Sequence, residues 1–192
     1  MRLEIVCAGI GGRGVLLAST IIIETAIKAG YRAMASDEYG MSQRGGSVVS
    51  LLKIGDFQSP LVGSENADIL LAFEESEFYR ALPFLKKGGL AIVNSDKEAL
   101  PEAIMGLLKK RGIASFLIDA DRIAKEKEMI QASNMALLGF FSRLAIGPYT
   151  AERIQEVIEE RVPKKVLEKN LEVFRQGLVL GEGLKNPLAA QV

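Results

Sequence analysis

Short apolar runs alternate with glycine-rich turns in the first two thirds of the chain, and longer runs with helical spacing fill the last third. Leu3 to Ala8 reads as a strand. It leads through Gly9-Ile10-Gly11-Gly12-Arg13-Gly14 into Val15 to Ala29, a helix apolar nearly all round and therefore expected to be deeply buried. Gly30 is placed to end that helix. Tyr31 to Ser36 reads as a weak second strand, since Ala33 and Ala35 are poor strand formers. Asp37 to Gly46 is polar, glycine-rich and without period, so it reads as a loop. Ser47 to Ile54 follows as a strand. No helix separates it from its neighbours, so it is expected to run antiparallel to the rest of the sheet.

Further on, Asp68 to Phe73, Leu90 to Asn94 and Ile113 to Ile118 read as strands. Helices are expected between them at Ser76 to Leu85 and at Glu98 to Lys110, with Lys87-Gly88-Gly89 as a turn and Pro101 in the first turn of the second helix. This βαβαβ order implies right-handed crossovers and parallel strands. After Asp119 the pattern is helical: Ala120 to Glu128, the strongly apolar Asn134 to Ile146, Thr150 to Glu160 with Thr150 as N-cap, and the amphipathic Pro163 to Leu180. The fold class expected is α/β: a three-layer α/β/α arrangement around a mostly parallel, Rossmann-like sheet with one antiparallel strand, and a helical C-terminal extension packed back on it. Residues 1–180 are expected to form a single domain and 181–192 a tail.

Composition narrows the chemistry. The 192 residues carry 24 Lys and Arg against 24 Asp and Glu, so bulk charge does not suit a nucleic-acid binder. The chain has no histidine, which removes histidine general bases, His-dependent triads and histidine metal ligands. One cysteine, Cys7, cannot by itself make an iron–sulfur cluster or a thiolate zinc site, and it is expected to be a small apolar core residue. Neither catalytic nor metal-ligating residues are expected. No signal peptide and no uncharged apolar run of about 18 residues is apparent, so no membrane association and a cytoplasmic location are expected.

Two glycine loops carry the candidate chemistry. Gly9, Gly11 and Gly14 satisfy G-x-G-x-x-G between a strand and a helix, where backbone N–H groups and a helix N-terminus can meet a phosphate. Asp37, 23 positions beyond Gly14, stands near where a ribose-binding carboxylate would sit. A free-standing NAD(P)- or FAD-binding oxidoreductase domain is one reading; close packing of strand on helix is the other. The second loop, Tyr39-Gly40-Met41-Ser42-Gln43-Arg44-Gly45-Gly46-Ser47, sets hydroxyl, amide and guanidinium donors among glycines, and Arg44 could grip a carboxylate or phosphate through two hydrogen bonds.

Together the two loops resemble those of the gamma subunit of 2-oxoacid:ferredoxin oxidoreductases, the family of the pyruvate, 2-oxoisovalerate and 2-oxoglutarate gamma chains and of the indolepyruvate beta chain. The resemblance extends through Ala67-Asp68-Ile69-Leu70-Leu71-Ala72, Gly88-Gly89, Asn134-Met135-Ala136-Leu137-Leu138-Gly139, and Asn170 near Phe174. Where the family usually has Gln, this chain has Arg13. The resemblance implies an accessory subunit, inactive alone, of a complex that oxidatively decarboxylates a 2-oxoacid to an acyl-CoA and passes electrons to ferredoxin. It implies catalytic alpha and beta subunits and a ferredoxin-like delta subunit as partners. Thiamine diphosphate, Mg and iron–sulfur clusters are then expected on the partners, with no cofactor held stably by this chain. A role in the coenzyme A channel would fall to Gly9, Gly11, Gly12, Arg13, Gly14, Ser42, Gln43, Arg44, Gly45 and Gly46; Ser42 and Gln43 could instead touch a partner subunit.

Overall fold

Leu3–Ile10 forms β1, the strand around which the sheet is built. Val6, Cys7 and Ala8 have no exposed surface. The computed structural model describes residues 1–40 and 45–189. After β1 come α1 (Val15–Lys28), β2 (Ala33–Tyr39), β3 (Ser47–Ile54) and β4 (Ala67–Ala72). Then follow α2 (Glu75–Ala81), a 3-10 turn at Leu82–Phe84, β5 (Leu85–Asn94), α3 (Glu102–Lys110) and β6 (Ala114–Ile118). The helices α4 (Ala120–Glu126), α5 (Ser133–Arg143), α6 (Ala151–Arg161) and α7 (Lys164–Leu180) complete the order.

The described residues make one six-stranded sheet in the order β2-β3-β1-β4-β5-β6. β3 is antiparallel to both β1 and β2, while β1, β4, β5 and β6 pair in parallel, so the mixed sheet and its reversed strand are as expected. Side chains alternate across the strands. Leu3, Ile5 and Cys7 face a core shared with α1, α4, α5, α6 and α7. Val6, Ala8, Leu70 and Ala72 face a second core closed by Phe78 of α2 and Leu108 of α3. Helices therefore cover both faces.

Several boundaries differ from the sequence reading, each for a local reason. β2 begins at Ala33 and runs through Asp37, Glu38 and Tyr39, which pair with Ser50, Val49 and Val48. These polar residues belong to an edge strand, and Ser50 Oγ donates to Asp37 Oδ1 at 2.5 Å, so cross-strand pairing overrides their low strand propensity. Lys87-Gly88-Gly89 lies inside β5, where the register against β4 shifts, rather than forming a turn before it. The helix expected from Ser76 to Leu85 ends at Ala81, because Pro83 has no N–H to continue it. The helix expected from Glu98 starts at Glu102. Pro101 is its extended N-cap, and the residue before a proline is kept out of helical geometry. Thr150 caps α6 as read from the sequence, accepting from the Arg153 N–H.

α5 is buried from Ser133 through Ser142. It meets α7 backbone to backbone: a Cβ on Gly139 would run into the Phe174 carbonyl, and one on Gly177 into the Ala136 carbonyl. Within the segment read as a tail, Leu188 is buried in the larger core.

Candidate functional site

The register pair Ile10↔Ser47 brings the end of β1 beside the start of β3, and with them the two glycine loops. β1 and β2 are not neighbours in the sheet: β3 lies between them and brings the loops together. The Gly11 N–H donates to Gly46 O at 2.9 Å, and the Gly40 N–H donates to Ser47 O at 2.7 Å. The loops enclose a cavity of about 440 Å3. Its wall is backbone from Gly11, Gly12, Gly14, Gly40, Gly45 and Gly46, with Ser47 and with Ile10, Val15, Leu16, Val48 and the exposed Tyr39 as its apolar part. Ser42, Gln43 and Arg44 lie outside the described residues.

Gly14 is the N-cap of α1, with φ 70° and no side-chain cap, and the first turn of α1 has no acidic residue. The leading N–H groups of the helix have no intrahelical acceptor, and the adjoining cavity is where an anion would meet them. Beneath the loop, Asn134 Nδ2 donates to Gly14 O at 3.1 Å. Asn134 is 2% exposed, and its Oδ1 has no partner among the described residues. Gly9 is a packing position inside β1: a Cβ there would stand 2.7 Å from Val15 Cγ2 and 3.0 Å from Phe73 Cβ.

Arg13 projects to the other side of the first loop. Its Nη1 donates to Asp121 Oδ1 at 2.8 Å and its Nη2 to Glu74 Oε2 at 2.8 Å. This is the switch point of the sheet, where β1 and β4 are neighbours and the chain leaves them in opposite directions. In open α/β sheets a dinucleotide binds across that crevice. Here it is acidic on balance, with Glu74, Glu75, Asp96, Asp119 and Asp121 against Arg122 and Lys125 around a recess of about 480 Å3. Asp37, the candidate ribose ligand, is instead bonded in mid-strand to Ser50.

The ionisable groups nearby are set for structure. Burial alone would raise the Glu75 carboxyl, but hydrogen bonds from Lys97, Ser95 and Tyr79 outweigh it and hold it at about 2. Burial and the Glu75 hydrogen bond push the Tyr79 phenol up to about 12. Cys7 is fully buried; burial, with a smaller contribution from the Asp37 charge, pushes its thiol up, so it is no nucleophile. Among the described residues no group of three or more His, Cys, Asp or Glu is placed to hold a metal ion. A lone buried thiol does not fit a cluster. Sequence reasoning missed the residues that brace the loops: Asn134 as a clamp, Glu74 and Asp121 as anchors, and Glu77. Glu77 is 4% exposed on α2 and accepts from Ser47 Oγ at 2.6 Å. Asn134 stood in a motif the resemblance had already marked; the carboxylates gave no signal.

Among the described residues the fold is a Rossmann-like α/β sheet with a glycine-lined recess at the head of its first helix, the architecture of a ligand-holding or assembly module. Comparison with known proteins supplies the particular: the chain belongs to the pyruvate ferredoxin/flavodoxin oxidoreductase family, which matches residues 4–180. It is 33% identical over 189 residues to the indolepyruvate oxidoreductase subunit IorB of Archaeoglobus fulgidus, covering 92% of this chain and 94% of that one. It is 32% identical over 179 residues to the 2-oxoglutarate synthase subunit KorC of Methanothermobacter marburgensis, covering 92% and 95%. Its structure is similar to the keto/oxoacid ferredoxin oxidoreductase gamma subunit of Geobacter sulfurreducens, with a TM-score of 0.75, 27% identity, and coverage of 93% and 98%. The relatives are subunits of oxidoreductases, and the free-standing NAD(P)- or FAD-binding domain finds no support.

Proposed function

We propose that this chain is the gamma-type subunit of a 2-oxoacid:ferredoxin oxidoreductase complex. Its catalytic alpha and beta subunits carry thiamine diphosphate and Mg, and clusters on partner chains, including a ferredoxin-like delta subunit, pass electrons to ferredoxin. The chain itself supplies a docking body and one wall of the coenzyme A channel. The observation that carries the second role is the joining of the two glycine loops at Gly11 and Gly46 around a recess headed by the uncapped N-terminus of α1. Coenzyme A presents phosphates, which free N–H groups and a helix N-terminus receive without any charged side chain. Gly11, Gly12, Gly14, Gly45 and Gly46 supply the backbone; Ser42, Gln43 and Arg44 adjoin them in sequence. Four curated relatives are named indolepyruvate oxidoreductase subunits, which makes an aryl pyruvate the first 2-oxoacid to test. No helix among the described residues is long and apolar enough to cross a membrane, and a cytoplasmic location accords with the reading.

Leu16→Glu tests the anion site. Leu16 is 37% exposed in the first turn of α1, so the core is untouched, and an acidic residue there favours the helix. The same carboxylate faces an incoming phosphate. Stability should rise slightly while the apparent KM for coenzyme A in the reconstituted complex rises on the order of tenfold, ~1.4 kcal/mol. Unchanged coenzyme A kinetics in an assembled complex removes the channel role. Purification from the host without thiamine diphosphate and iron–sulfur subunits removes the whole reading.

A further inference from the structure

We propose that Arg13 is a positioning residue for the coenzyme A recess: it holds the first glycine loop from the far side by clasping Glu74 and Asp121, and it does not bind the ligand. The inference rests on the channel reading above. Both terminal nitrogens of Arg13 already donate, at 2.8 Å each, to carboxylates carried by other elements, one just after β4 and one in α4. Two carboxylates neutralise the guanidinium and occupy both of its terminal nitrogens, which makes it a poor partner for a phosphate. The recess on that side carries five carboxylates against Arg122 and Lys125, so its balance does not favour an anion.

The loop is otherwise tied at three places. The Gly11 N–H bonds to Gly46 O on the recess side, the Arg13 N–H closes a turn on Ile10 O at 3.1 Å, and Asn134 grips Gly14 O from below. The Arg13 clasp is the side-chain tie on the crevice side. Two bonds in different directions, to two different elements, fix the loop against both lateral shift and rotation. That sets where the Gly11 and Gly12 backbone and the start of α1 face the recess. The crevice that would serve a dinucleotide in this topology is thus turned into a brace for a site on the opposite side of the same loop.

A ligand role and a positioning role predict opposite signs. If Arg13 bound phosphate, removing its competitors with Glu74→Gln or Asp121→Asn would free the guanidinium and lower the KM for coenzyme A. If Arg13 positions the loop, each of these isosteric changes should raise that KM about threefold, and Arg13→Ala about tenfold, with kcat and assembly unchanged. Arg13→Lys, a point charge without the planar fork, should recover only part. Adding Glu74→Gln to Arg13→Ala should raise the KM no further, since the bond is already gone. The measurement is coenzyme A-dependent turnover of the reconstituted complex. A lowered or unchanged KM in Glu74→Gln and Asp121→Asn overturns the proposal. Leu16→Glu run alongside separates the two ideas: if it leaves the KM unchanged, the recess reading has failed, whereas a response to Leu16→Glu with none to the three clasp variants rejects the clasp alone.

Discussion

Gly14 is under two constraints. Its φ of 70° lies in the left-handed region, and a Cβ there would collide with the Asn134 amide. Gly14→Ala should therefore destabilise the chain by about 2–4 kcal/mol, of which ~1–2 is the backbone conformation and the rest the collision. In an Asn134→Ala background the same change should show only the backbone part, a coupling that denaturant melts of the parent chain and the three variants would read. Glu75 makes a separate residue-scale prediction. Its folded carboxyl, at about 2, lies below its ordinary value of 4.5. The stabilisation is complete above the unfolded value and is lost as pH falls through the folded one. Stability should therefore decline between pH 4.5 and 2, with Glu75 accounting for on the order of 2 kcal/mol of the loss. Glu75→Gln should flatten that part of the curve, and an unaltered acid profile would show that Lys97, Ser95 and Tyr79 do not hold the charge.

At the scale of elements, α5 and α7 show packing reversing a propensity. Glycine to alanine inside a helix ordinarily gains about 1 kcal/mol. Gly177 is in the last turn of α7, yet its missing side chain leaves room for the Ala136 carbonyl. Gly177→Ala should lower stability by about 2–3 kcal/mol, seen as a drop in Tm, because the two helices must separate to admit a methyl group. The sequence shows the helical spacing of both elements but not this contact, since nothing in a helical period says which glycine faces a backbone. The same limit governs the sheet. β1, its glycine turn and α1 are legible because their signals are local, and the reversed direction of β3 follows from the lack of a crossover helix. The polar end of β2 is not legible, because Asp37, Glu38 and Tyr39 owe their strand state to β3. Of the site, the two glycine loops can be read directly. The anchors of Arg13 cannot, for Glu74 is 61 and Asp121 108 positions away and no spacing links them.

Across the whole molecule, charged anchors and apolar cores divide the labour. The cores on both sheet faces hold the strands rigid, and salt links such as Arg13–Glu74 and Arg13–Asp121 aim a loop on the finished sheet. The order of strands also has a temporal meaning. β1 leaves the ribosome before either of its two hydrogen-bonded neighbours, β3, completed at Ile54, and β4, completed at Ala72. The largely apolar α5 likewise emerges ahead of part of its cover, Phe174 and Leu188. The nascent chain therefore carries a bare greasy helix until α7 and Leu188 have followed it out. In that interval the helix is open to aggregation, and the contacts that silence its stickiness form only once α7 is made.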